Sequence, residues 1–534
     1  MIESINLQNY KAFDDVTIPI RPLTVLLGAN SVGKSSIIQM LMLLHQTAED
    51  KQTQYSSALK IYGNSVNIGA FENLFKDRVV SNPLTIRIKM TSPDTLDLLD
   101  ECLEEYTDSF RSISSMISPS DFWLDEDKYK GRDGFYELVK QLFTQLKDLV
   151  KDDKRRYQIL KRRYGISESM LENGAIDELM KGYDIRKDLS ILHRDDFILS
   201  FVLAVKNEKL KISRFAIEIG DGKKILEVES KTEKNFKVSS CYSLSATDYE
   251  EIVNGVNFNN TIFDVIENEY IDGMNPKVAS FLMEISASLL NDLAYNLCES
   301  RLNYVSPLRA HPKRYYMLDK AKMAISLDTL DGDAIAEVLK ENKNVKKSVN
   351  EWFSKFGFKI DVKEFKEVIH HMNVTQNGLS LDITDVGFGI SQILPIIIQG
   401  FLSMDESLTI IEQPEIHLHP KMQADLGDLF IDIVSQNNKK LIIETHSEYL
   451  LRRVRRRISE GKIDSKDVAI CLFHPKTKSQ SAWVEHLEIS DRGNFKWPEE
   501  YYCGDLYDDI LIYLQNQTDG NGNDIPFNDQ GRRE

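Results

Sequence analysis

The sequence predicts an α/β fold, and three observations predict it. First, the apolar residues 23–27 lead into a glycine-rich loop, residues 28–36, and an apolar helical pattern follows directly. Second, a later apolar run, residues 408–411, ends in acidic side chains, and a further run, residues 441–443, repeats the design with a histidine at the strand's end. Third, alternating apolar and polar residues, a pattern typical of half-buried strands, flank the loop. Strands that deliver polar side chains at their carboxyl ends are typical of parallel sheets with a site at that edge.

The loop reads Gly-Ala-Asn-Ser-Val-Gly-Lys-Ser-Ser and fits the phosphate-binding pattern G-x-x-x-x-G-K-[ST]. Glycines allow backbone N–H groups to surround phosphates, and the following helix points its positive dipole end at them. An ordinary glycine-rich turn is disfavoured because strand, loop and helix occur in the required order. The loop predicts a nucleoside triphosphate site in which Lys34 contacts the β- and γ-phosphates, Ser35 the Mg²⁺ ion and Ser36 the α-phosphate. The residues predicted to bind the nucleotide here are Asn30, Ser31, Gly33, Lys34, Ser35 and Ser36.

Composition sets the class of protein. The 534 residues include 42% hydrophobic residues, enough for a large core with insertions. No apolar run approaches the roughly 20 residues that span a bilayer, and the first residues do not resemble a secretion signal. Five cysteines lack metal-ligand or disulfide spacing. We therefore expect no membrane association and a reducing, cytoplasmic location.

The formal net charge of −17 disfavours a protein that coats nucleic acid, since phosphate binding needs clustered Lys and Arg. Two local basic patches could still contact DNA. The first also contains Asp152 and Asp153, so a solvated helix face is favoured there. The second follows residue 446 on a predicted helix, where a solvated face and a contact with DNA or a nuclease partner stay open. The patches are Lys154, Arg155, Arg156, Lys161, Arg162 and Arg163, and Arg452, Arg453, Arg455, Arg456 and Arg457.

The chain divides into regions of different texture. Strand patterns occur at residues 2–7, 16–20, 84–90, 197–205, 210–219 and 225–228, and helical patterns at 94–188 and 263–298. Residues 66–75 read as a strand leading into a loop and a short helix. These patterns predict an N-terminal half-domain (1–92), a helical insertion (93–190), a β-rich continuation (191–245), a helical segment (246–301), a C-terminal half-domain (302–516) and a disordered tail (517–534).

Two strand ends, one acidic and one with a histidine, supply the second half of the predicted site. Residues 412–420 read Glu-Gln-Pro-Glu-Ile-His-Leu-His-Pro, and residues 441–447 read Leu-Ile-Ile-Glu-Thr-His-Ser. The carboxyl ends of parallel strands meet at one edge of a sheet, where the phosphate loop also lies. We therefore expect both segments beside the loop.

This ordered set of motifs resembles the ABC-type ATPases, in the branch that includes SMC-like, RecF-like and overcoming-lysogenization-defect ATPases. The resemblance covers roughly the first 90 residues and most of the chain after residue 300. It implies an ABC-type P-loop ATPase fold with a mixed β lobe, a RecA-like lobe and a helical insertion, and it implies ATP and Mg²⁺ as ligands. The motifs that carry it are residues 28–35, 304–309, 385–392, 412–420, 444–450 and 497–498.

The resemblance also implies roles for residues. Glu412 would hold Mg²⁺, directly or through water, together with Ser35. His446 would be the switch histidine that senses the γ-phosphate. A signature loop at Gly387, Gly389 and Ser391 would complete the ATP site of another subunit, which implies a homodimer or a higher homo-oligomer.

Two departures from the family pattern affect the predicted chemistry. The metal position is usually Asp, and Glu412 is one methylene longer. Gln413 stands where such ATPases have the glutamate that polarises the attacking water, and an amide cannot accept a proton at neutral pH. Glu415 could replace that glutamate only if the turn brings it within about 3 Å of the water. We hypothesise firm ATP binding with slow turnover.

Four other polar residues have less specific patterns. His417 and His419 lack cysteines or carboxylates at zinc spacing, so a structural role is favoured over metal binding. Arg309 and Arg314 follow a predicted strand, and each could position an acidic loop or bind a phosphate. The sequence leaves that choice open.

The resemblance implies an ATP-switched dimer that regulates a separate nuclease or toxin effector, as in bacterial anti-phage systems of the Septu type. The alternative is an SMC- or RecF-like DNA-binding ATPase of DNA repair, although the insertion lacks long heptad arms. A fused nuclease is disfavoured because residues 446–534 are too few for a further domain. The acidic residues Asp505, Asp508 and Asp509 also lack the strand context of a two-metal site.

Overall fold

The structure is a computed structural model. It describes residues 1–50, 57–92, 131–155, 157–159, 176–177, 180–181, 183–185, 187, 196–220, 222–232, 235–267, 278–309, 311–317, 332–366, 369–386, 388–436 and 438–496. Several sequence predictions fall outside these residues. They are Gly387, most of the helical insertion, the basic residues Arg156, Lys161, Arg162 and Arg163, the acidic residues Asp505, Asp508 and Asp509, residues 497–498 and the tail 517–534.

The described strands form three sheets. Their bounds are β1 Ile2–Tyr10, β2 Phe13–Pro19, β3 Leu23–Gly28, β4 Leu84–Thr91, β5 Asp196–Lys206, β6 Lys209–Ile219, β7 Lys223–Thr232, β8 Asn235–Ser239, β9 Leu302–Val305, β10 Tyr316–Met317, β11 Phe358–Lys366, β12 Ile369–Gln376, β13 Leu379–Asp382, β14 Leu408–Glu412, β15 Lys440–Glu444, β16 Val468–His474 and β17 Trp483–His486.

The described α-helices cover the sheets. Their bounds are α1 Lys34–Ala48, α2 Gly131–Asp152, α3 Ala246–Asn254, α4 Val278–Asn296, α5 Gly332–Glu341, α6 Lys343–Ser354, α7 Phe388–Leu402, α8 Pro420–Val434 and α9 Glu448–Ser459. Short 3-10 helices occupy Phe71–Leu74, Lys76–Arg78, Ile383–Asp385 and Ser465–Asp467. None of the helices in the described ranges is long and apolar enough to cross a membrane.

The six-stranded sheet positions the predicted site. Its strand order is β17-β16-β3-β15-β14-β9, and every pair except β16–β17 is parallel. Strand β3 is buried along its whole length, which explains its continuous apolar sequence. Because β15 lies between β3 and β14, the phosphate loop and both acidic strand ends reach the same edge. The α/β fold predicted from these strands is confirmed.

The seven-stranded sheet is antiparallel and joins segments far apart in sequence. Its order is β2-β1-β4-β5-β6-β7-β8, and β4 pairs with β5 from Leu84↔Leu203 to Thr91↔Asp196. The alternating burial of β4 matches its alternating sequence. Chain segments on either side of the predicted insertion therefore belong to one sheet. The limits of the six predicted regions remain predictions.

Two hydrophobic cores lie on opposite faces of the six-stranded sheet. Alternate residues of β3 divide between them, with Leu26 in the first core and Val25 in the second. The first core fills the space between this sheet, α1, α4 and the antiparallel sheet. The second packs α7, α8, α9 and a small sheet of β10 to β13 on the other face. The sheet edge that carries the site is thus fixed from both sides.

Two local sequence predictions differ from the structure, and one sheet was not predicted. Residues 66–70 contain a single β-bridge, Tyr62↔Asn67, in place of the predicted strand, although the short helix that should follow is present as the 3-10 helix Phe71–Leu74. The predicted helix at residues 263–298 is described from Val278 to Asn296, and Val256 and Ile266 form an isolated bridge before it. The small antiparallel sheet of β10 to β13 was not predicted.

Candidate functional site

The phosphate loop has a backbone that only glycine fits at two positions. Gly28 has φ +145°, and a Cβ there would lie 2.8 Å from the carbonyl oxygen of Phe473. Gly33 has φ +111°, and its Cβ would lie 2.5 Å from the ring of Phe13, which is fully buried. Left-handed backbone and close approach each favour glycine. Both glycines of the motif are therefore required by the path of the loop.

Lys34 is folded over the inside of this loop. Its side chain is only 3% exposed, and its ammonium group donates to the carbonyl oxygens of Gly28 and Ala29 at 2.7 and 2.8 Å. The ammonium also lies 3.7 Å from Oε1 of Glu444. Burial lowers the pKa of Lys34, and the charge of Glu444 acts against that shift. The loop thus holds a buried positive charge beside a carboxylate.

The first turn of α1 leaves N–H groups that can bind an anion. The residue before the helix is Gly33, and no side chain caps the helix there. Uncapped N–H groups at a helix N-terminus bind phosphate well. Asn30, Ser31 and Ser35 are exposed on this surface, and Ser36 is half-buried. Their placement on one loop agrees with the predicted nucleotide contacts, which remain predictions.

Ser35 contacts an acidic residue on the neighbouring strand. Its hydroxyl donates to Oε2 of Glu444 at 3.3 Å. The predicted partner Glu412 instead accepts a hydrogen bond from the Tyr304 hydroxyl at 2.7 Å. Burial raises the pKa of Glu412 and of Glu444, and the charge of Glu412 adds to the shift at Glu444. The role of Glu412 at the metal stays a prediction, and Glu444 joins the candidate site.

Sequence reasoning assigned no role to Glu444 or to Tyr304. The signal for Glu444 was present, because β15 is an apolar strand that ends in a glutamate, as β14 does. The two glutamates are paired across the parallel strands β14 and β15.

Gln413 sits at a strained turn directly after β14. Its φ is +45°, a conformation uncommon for residues other than glycine. Its backbone N–H donates to the carbonyl oxygen of Glu444 at 2.7 Å, which fixes the turn against β15. Strained residues held by their surroundings are concentrated at functional sites.

Glu415 is engaged by the end of β15. Its Oε2 accepts from the hydroxyl of Thr445 at 2.7 Å, and its Oε1 accepts from the backbone N–H of His446 at 2.6 Å. Burial raises the pKa of Glu415 despite these hydrogen bonds, and burial lowers the pKa of His446. These contacts favour a role in holding His446 in place. The predicted roles of Glu415 and His446 in catalysis remain untested.

A buried arginine fixes the same acidic turn. Arg309 is 5% exposed, and its Nη2 donates to the carbonyl oxygens of Glu412 and Gln413 at 2.7 and 3.2 Å. Burial lowers its pKa to about 10, against the charge of Glu415. Of the two alternatives from the sequence, these contacts favour positioning of an acidic loop. Arg314 forms an exposed ion pair with Asp385 at 3.0 Å.

The signature segment begins helix α7. Gly389 packs against the 412–420 turn, since a Cβ there would lie 3.0 Å from the carbonyl oxygen of His417. Ser391 is 7% exposed, so its side chain is buried within its own chain. Gly387 lies outside the described residues. The predicted contact of this segment with ATP of another subunit stays a prediction.

The histidines of the 412–420 segment have local surroundings. His419 caps α8, where its Nδ1 accepts from the N–H of Lys421 at 3.3 Å. His417 has φ +63°, within the tight turn before that helix. In the part of the chain that the structure describes, no three His, Cys, Asp or Glu side chains form a group that could hold a metal ion by themselves. A structural role for both histidines agrees with these contacts.

The arginine cluster of α9 is balanced by acidic and polar neighbours. Arg453 and Arg457 bind Asp428 at 2.5 and 2.6 Å. Arg455 donates to the side chain of Asn494 at 3.0 Å. The exposed Arg452 and Arg456 pair with Glu448 and Glu460, one turn away along the helix. Of the other patch, the described residues Lys154 and Arg155 are exposed.

The comparison with known families decides the class of this site. Residues 1–451 match the family described as the AAA ATPase domain. The chain belongs to that family. The matched range contains the phosphate loop, both acidic strand ends and His446. Family membership supports a P-loop ATPase that binds a nucleotide, which agrees with the coarse prediction from the motifs. The finer subgroup inferred from the 412–420 motif is not tested by this match.

Solved structures give only weak overlaps with this AAA ATPase domain. An SMC head bound to the C-winged helix domain of ScpA matches with 12% identity and a TM-score of 0.34, over 92% of this chain and 98% of the other. The SMC head domain from Thermotoga maritima matches with 8% identity and a TM-score of 0.33, over 91% and 99%. No curated protein sequence matches the chain. Overlaps this low carry no functional inference.

Proposed function

We propose that this chain binds ATP with Mg²⁺ in the loop between β3 and α1 and hydrolyses it slowly. The observation that carries the proposal is the meeting of Lys34 and Ser35 with an acidic strand edge, where Glu444 lies 3.3 Å from the Ser35 hydroxyl. Lys34 contacts the β- and γ-phosphates after giving up its backbone partners. The N–H groups of residues 30–36 surround the phosphates.

The donors at this edge suit Mg²⁺. The ion prefers oxygen ligands, keeps several waters and binds proteins through one or two carboxylates together with substrate phosphates. Ser35 and Glu412 are the residues predicted to hold it, and Glu444 lies in the same place. When bound, the ion would neutralise negative charge on the phosphates. The small number of carboxylates fits a cation that arrives with its nucleotide.

Slow turnover follows from the groups near Gln413. The amide of Gln413 can orient a water molecule by hydrogen bonds but cannot take its proton. Both oxygens of Glu415 already accept hydrogen bonds from Thr445 and His446. Burial lowers the pKa of His446, which favours the neutral imidazole, and a ring N–H of that form is suited to contact the γ-phosphate as a donor. The site therefore has residues suited to bind ATP but no free carboxylate at Gln413 or Glu415 to take the proton of the attacking water.

We further propose that ATP closes a homodimer, with the segment of Gly387, Gly389 and Ser391 against the nucleotide of the other subunit. Because Ser391 is buried, backbone groups near Gly389 are the better candidates for that contact. The closed dimer regulates a separate effector, a nuclease or toxin. The anti-phage setting of that regulation rests on the motif resemblance alone.

The alternative is a DNA-binding ATPase of DNA repair. It requires basic residues that are available to phosphates. The arginines of α9 form ion pairs and hydrogen bonds with Asp425, Asp428, Glu448, Glu460 and Asn494, which favours the first proposal. Light scattering with and without ATP tests the dimer, and co-purification with proteins encoded by neighbouring genes tests the effector.

Nucleotide binding is tested by Lys34→Ala, with Lys76→Ala as control. Lys76 is a surface lysine that pairs with Asp14. Each charge-assisted hydrogen bond contributes about 1.5–3 kcal/mol, so the loss of two weakens binding of a fluorescent ATP analogue by at least about 100-fold. The control binds as the wild type does. Equal affinity of Lys34→Ala and wild type would refute the proposal.

Turnover is tested at the turn itself. Gln413→Glu restores a carboxylate beside the expected water and should raise the rate of phosphate release by about 10-fold or more, since a positioned base typically contributes about 100-fold or more. Glu415→Gln tests the other carboxylate. Fast turnover in the wild type that is abolished by Gln413→Ala and unaffected by Glu415→Ala would contradict slow hydrolysis.

A further inference from the structure

Glu444 is the carboxylate that lies against the phosphate loop. It is 4% exposed, its Oε2 accepts from the Ser35 hydroxyl at 3.3 Å, and its Oε1 lies 3.7 Å from the Lys34 ammonium. Its backbone pairs with Leu26 of β3 on one side and with Glu412 of β14 on the other. The side chain is therefore placed between the strand that leads into the loop and the strand of the 412–420 motif.

Glu412 is held differently. Its Oε1 accepts from the hydroxyl of Tyr304, which lies on β9, the strand on the far side of β14 from the loop. The two paired glutamates thus have different partners, with Glu444 bound to the loop and Glu412 bound to the sheet edge. Two N–H groups of Arg309, Nε and Nη1, are buried at the same turn without a hydrogen-bond partner among the described residues. The 412–413 turn thus retains polar groups that a ligand can satisfy.

We propose that Glu444, together with Ser35, binds the divalent cation that accompanies the nucleotide. The inference rests on the proposed function and adds a residue to its metal site. Oxygen ligands of Mg²⁺ lie at about 2.1 Å in an octahedron, so two neighbouring ligands are about 3.0 Å apart. The observed separation of 3.3 Å between Ser35 Oγ and Glu444 Oε2 is close to that spacing. Ser35 and Glu444 would hold the cation in place of this hydrogen bond, with the hydroxyl oxygen of Ser35 as a ligand.

The position of Lys34 gives the proposal a thermodynamic consequence. In the loop as described, Lys34 provides the positive charge beside the buried Glu444. When Lys34 moves to the phosphates, Glu444 loses this partner, and an uncompensated buried carboxylate is unfavourable. A divalent cation restores the balance. Nucleotide binding is therefore coupled to cation binding through Glu444, and removal of its charge weakens that coupling.

The test compares nucleotide affinity with and without a cation. A fluorescent ADP analogue is titrated in EDTA and in Mn²⁺, and bound Mn²⁺ is measured by electron paramagnetic resonance. The wild type should gain at least about 10-fold in affinity from Mn²⁺. Glu444→Gln should bind the analogue in EDTA at least as tightly as the wild type, because no buried carboxylate then loses its partner, and it should lose most of the gain from Mn²⁺, to about 3-fold or less, with less bound Mn²⁺. Glu351→Gln is the matched control, because Glu351 is an exposed carboxylate on α6 that pairs with Lys347.

One further variant makes the result decisive. Glu444→Asp keeps the negative charge beside Lys34 and withdraws its oxygens by one methylene, so it folds even if Glu444→Gln does not. It should lose at least about 3-fold of the Mn²⁺ gain. An unchanged gain in whichever variants fold overturns the inference and leaves nucleotide binding intact. A wild type that binds no nucleotide in either condition overturns the proposed function itself.

Discussion

Two regions of the molecule hold dense groups of charged residues, and they balance charge in opposite ways. Three charged residues are buried at the edge of the six-stranded sheet: Lys34, Arg309 and Glu444. Burial lowers the pKa of the lysine and of the arginine and raises the pKa of the glutamate, so that it favours the neutral form of each side chain. On α9, Arg452 and Arg456 lie at the surface beside carboxylates one turn away. The first group contains charges removed from water with few compensating partners. The second is a set of paired surface ions.

The difference shows that a high density of charged residues in a sequence does not by itself predict a catalytic or binding site. Helix α9 carries five arginines within six residues, and its apolar side, Leu450, Leu451, Val454 and Ile458, packs into the core. The helix is amphipathic, and its charges solvate the outer face. Perturbed pKa values in a cleft mark functional candidates, whereas paired surface ions stabilise weakly. Four substitutions test this contrast, in order of decreasing effect.

The largest effect is expected from Gly33→Ala in the phosphate loop. The new methyl group would lie 2.5 Å from the buried ring of Phe13, at φ +111°. Strain and overpacking together lower the free energy of unfolding by about 4 kcal/mol. Gly378→Ala is the control, because Gly378 has φ +81° with open space around it among the described residues, and strain alone costs it about 1 kcal/mol. Urea denaturation measures both. Equal losses would show that the loop is not closely packed.

Arg309→Ala should come next. The substitution leaves the carbonyl oxygens of Glu412 and Gln413 without their buried donor, which lowers the free energy of unfolding by about 3 kcal/mol. The turn that presents Gln413 also loosens, so the rate constant of ATP turnover falls more than the affinity for ATP. Arg314→Ala, which breaks an exposed ion pair, is the control. A loss of affinity with unchanged turnover would instead indicate direct contact of Arg309 with the nucleotide.

Asp428→Asn tests the charged region of α8 and α9. Burial acts to raise the pKa of Asp428, but Arg457 and Arg453 hold it below the ordinary value of 3.8. A depressed pKa stabilises the fold above 3.8, and the contribution is lost as the pH falls through the lowered pKa. The variant should lose about 2 kcal/mol of unfolding free energy at pH 7, and its difference from the wild type should shrink below about pH 4.

The same denaturation series supplies the check on that prediction. Asp425→Asn removes a single contact with Arg453 at 2.9 Å and should cost less than Asp428→Asn. A difference between wild type and Asp428→Asn that stays constant down to pH 3 would show that the ion pairs do not carry the effect.

The sequence predicted β3, β14 and β15 of the six-stranded sheet, because these strands are short apolar runs that end at recognisable motifs, whereas β16 and β17 were not predicted. Strands β3, β14 and β15 lie where their sequences place them. The small sheet could not be predicted in the same way. In β11 apolar and polar residues alternate from Phe358 to Lys363 but no motif follows the strand, and β13 has only four residues. Such strands form because their neighbours provide hydrogen bonds and a core, which no local pattern records.

Within the site, motif positions were easier to predict than contacts. The phosphate loop, both strand ends and His446 meet at one edge as expected. Which carboxylate approaches Ser35 depends on strand order, because β15 lies beside β3 and β14 lies one strand further away. The partners of Glu415 depend likewise on a turn in which Gln413 and His417 adopt positive φ. These features arise from tertiary packing, and the residues around them do not encode them locally.

The smallest effect is expected from the double substitution Arg452→Ser with Arg456→Ser. These side chains are 65% and 63% exposed, and exposed pairs one helical turn apart contribute about 0.3–0.5 kcal/mol each. The unfolding free energy should therefore change by less than about 1 kcal/mol. Arg453→Ser, which removes a 19% exposed arginine bound to two aspartates, should cost more. Glu448 and Glu460 already neutralise Arg452 and Arg456, so the affinity of the double variant for a short DNA duplex should stay within about twofold of the wild-type affinity.

A loss of DNA affinity above about tenfold would mean that these ion pairs open to admit phosphates. The contrast between the two regions would then favour the DNA-binding ATPase.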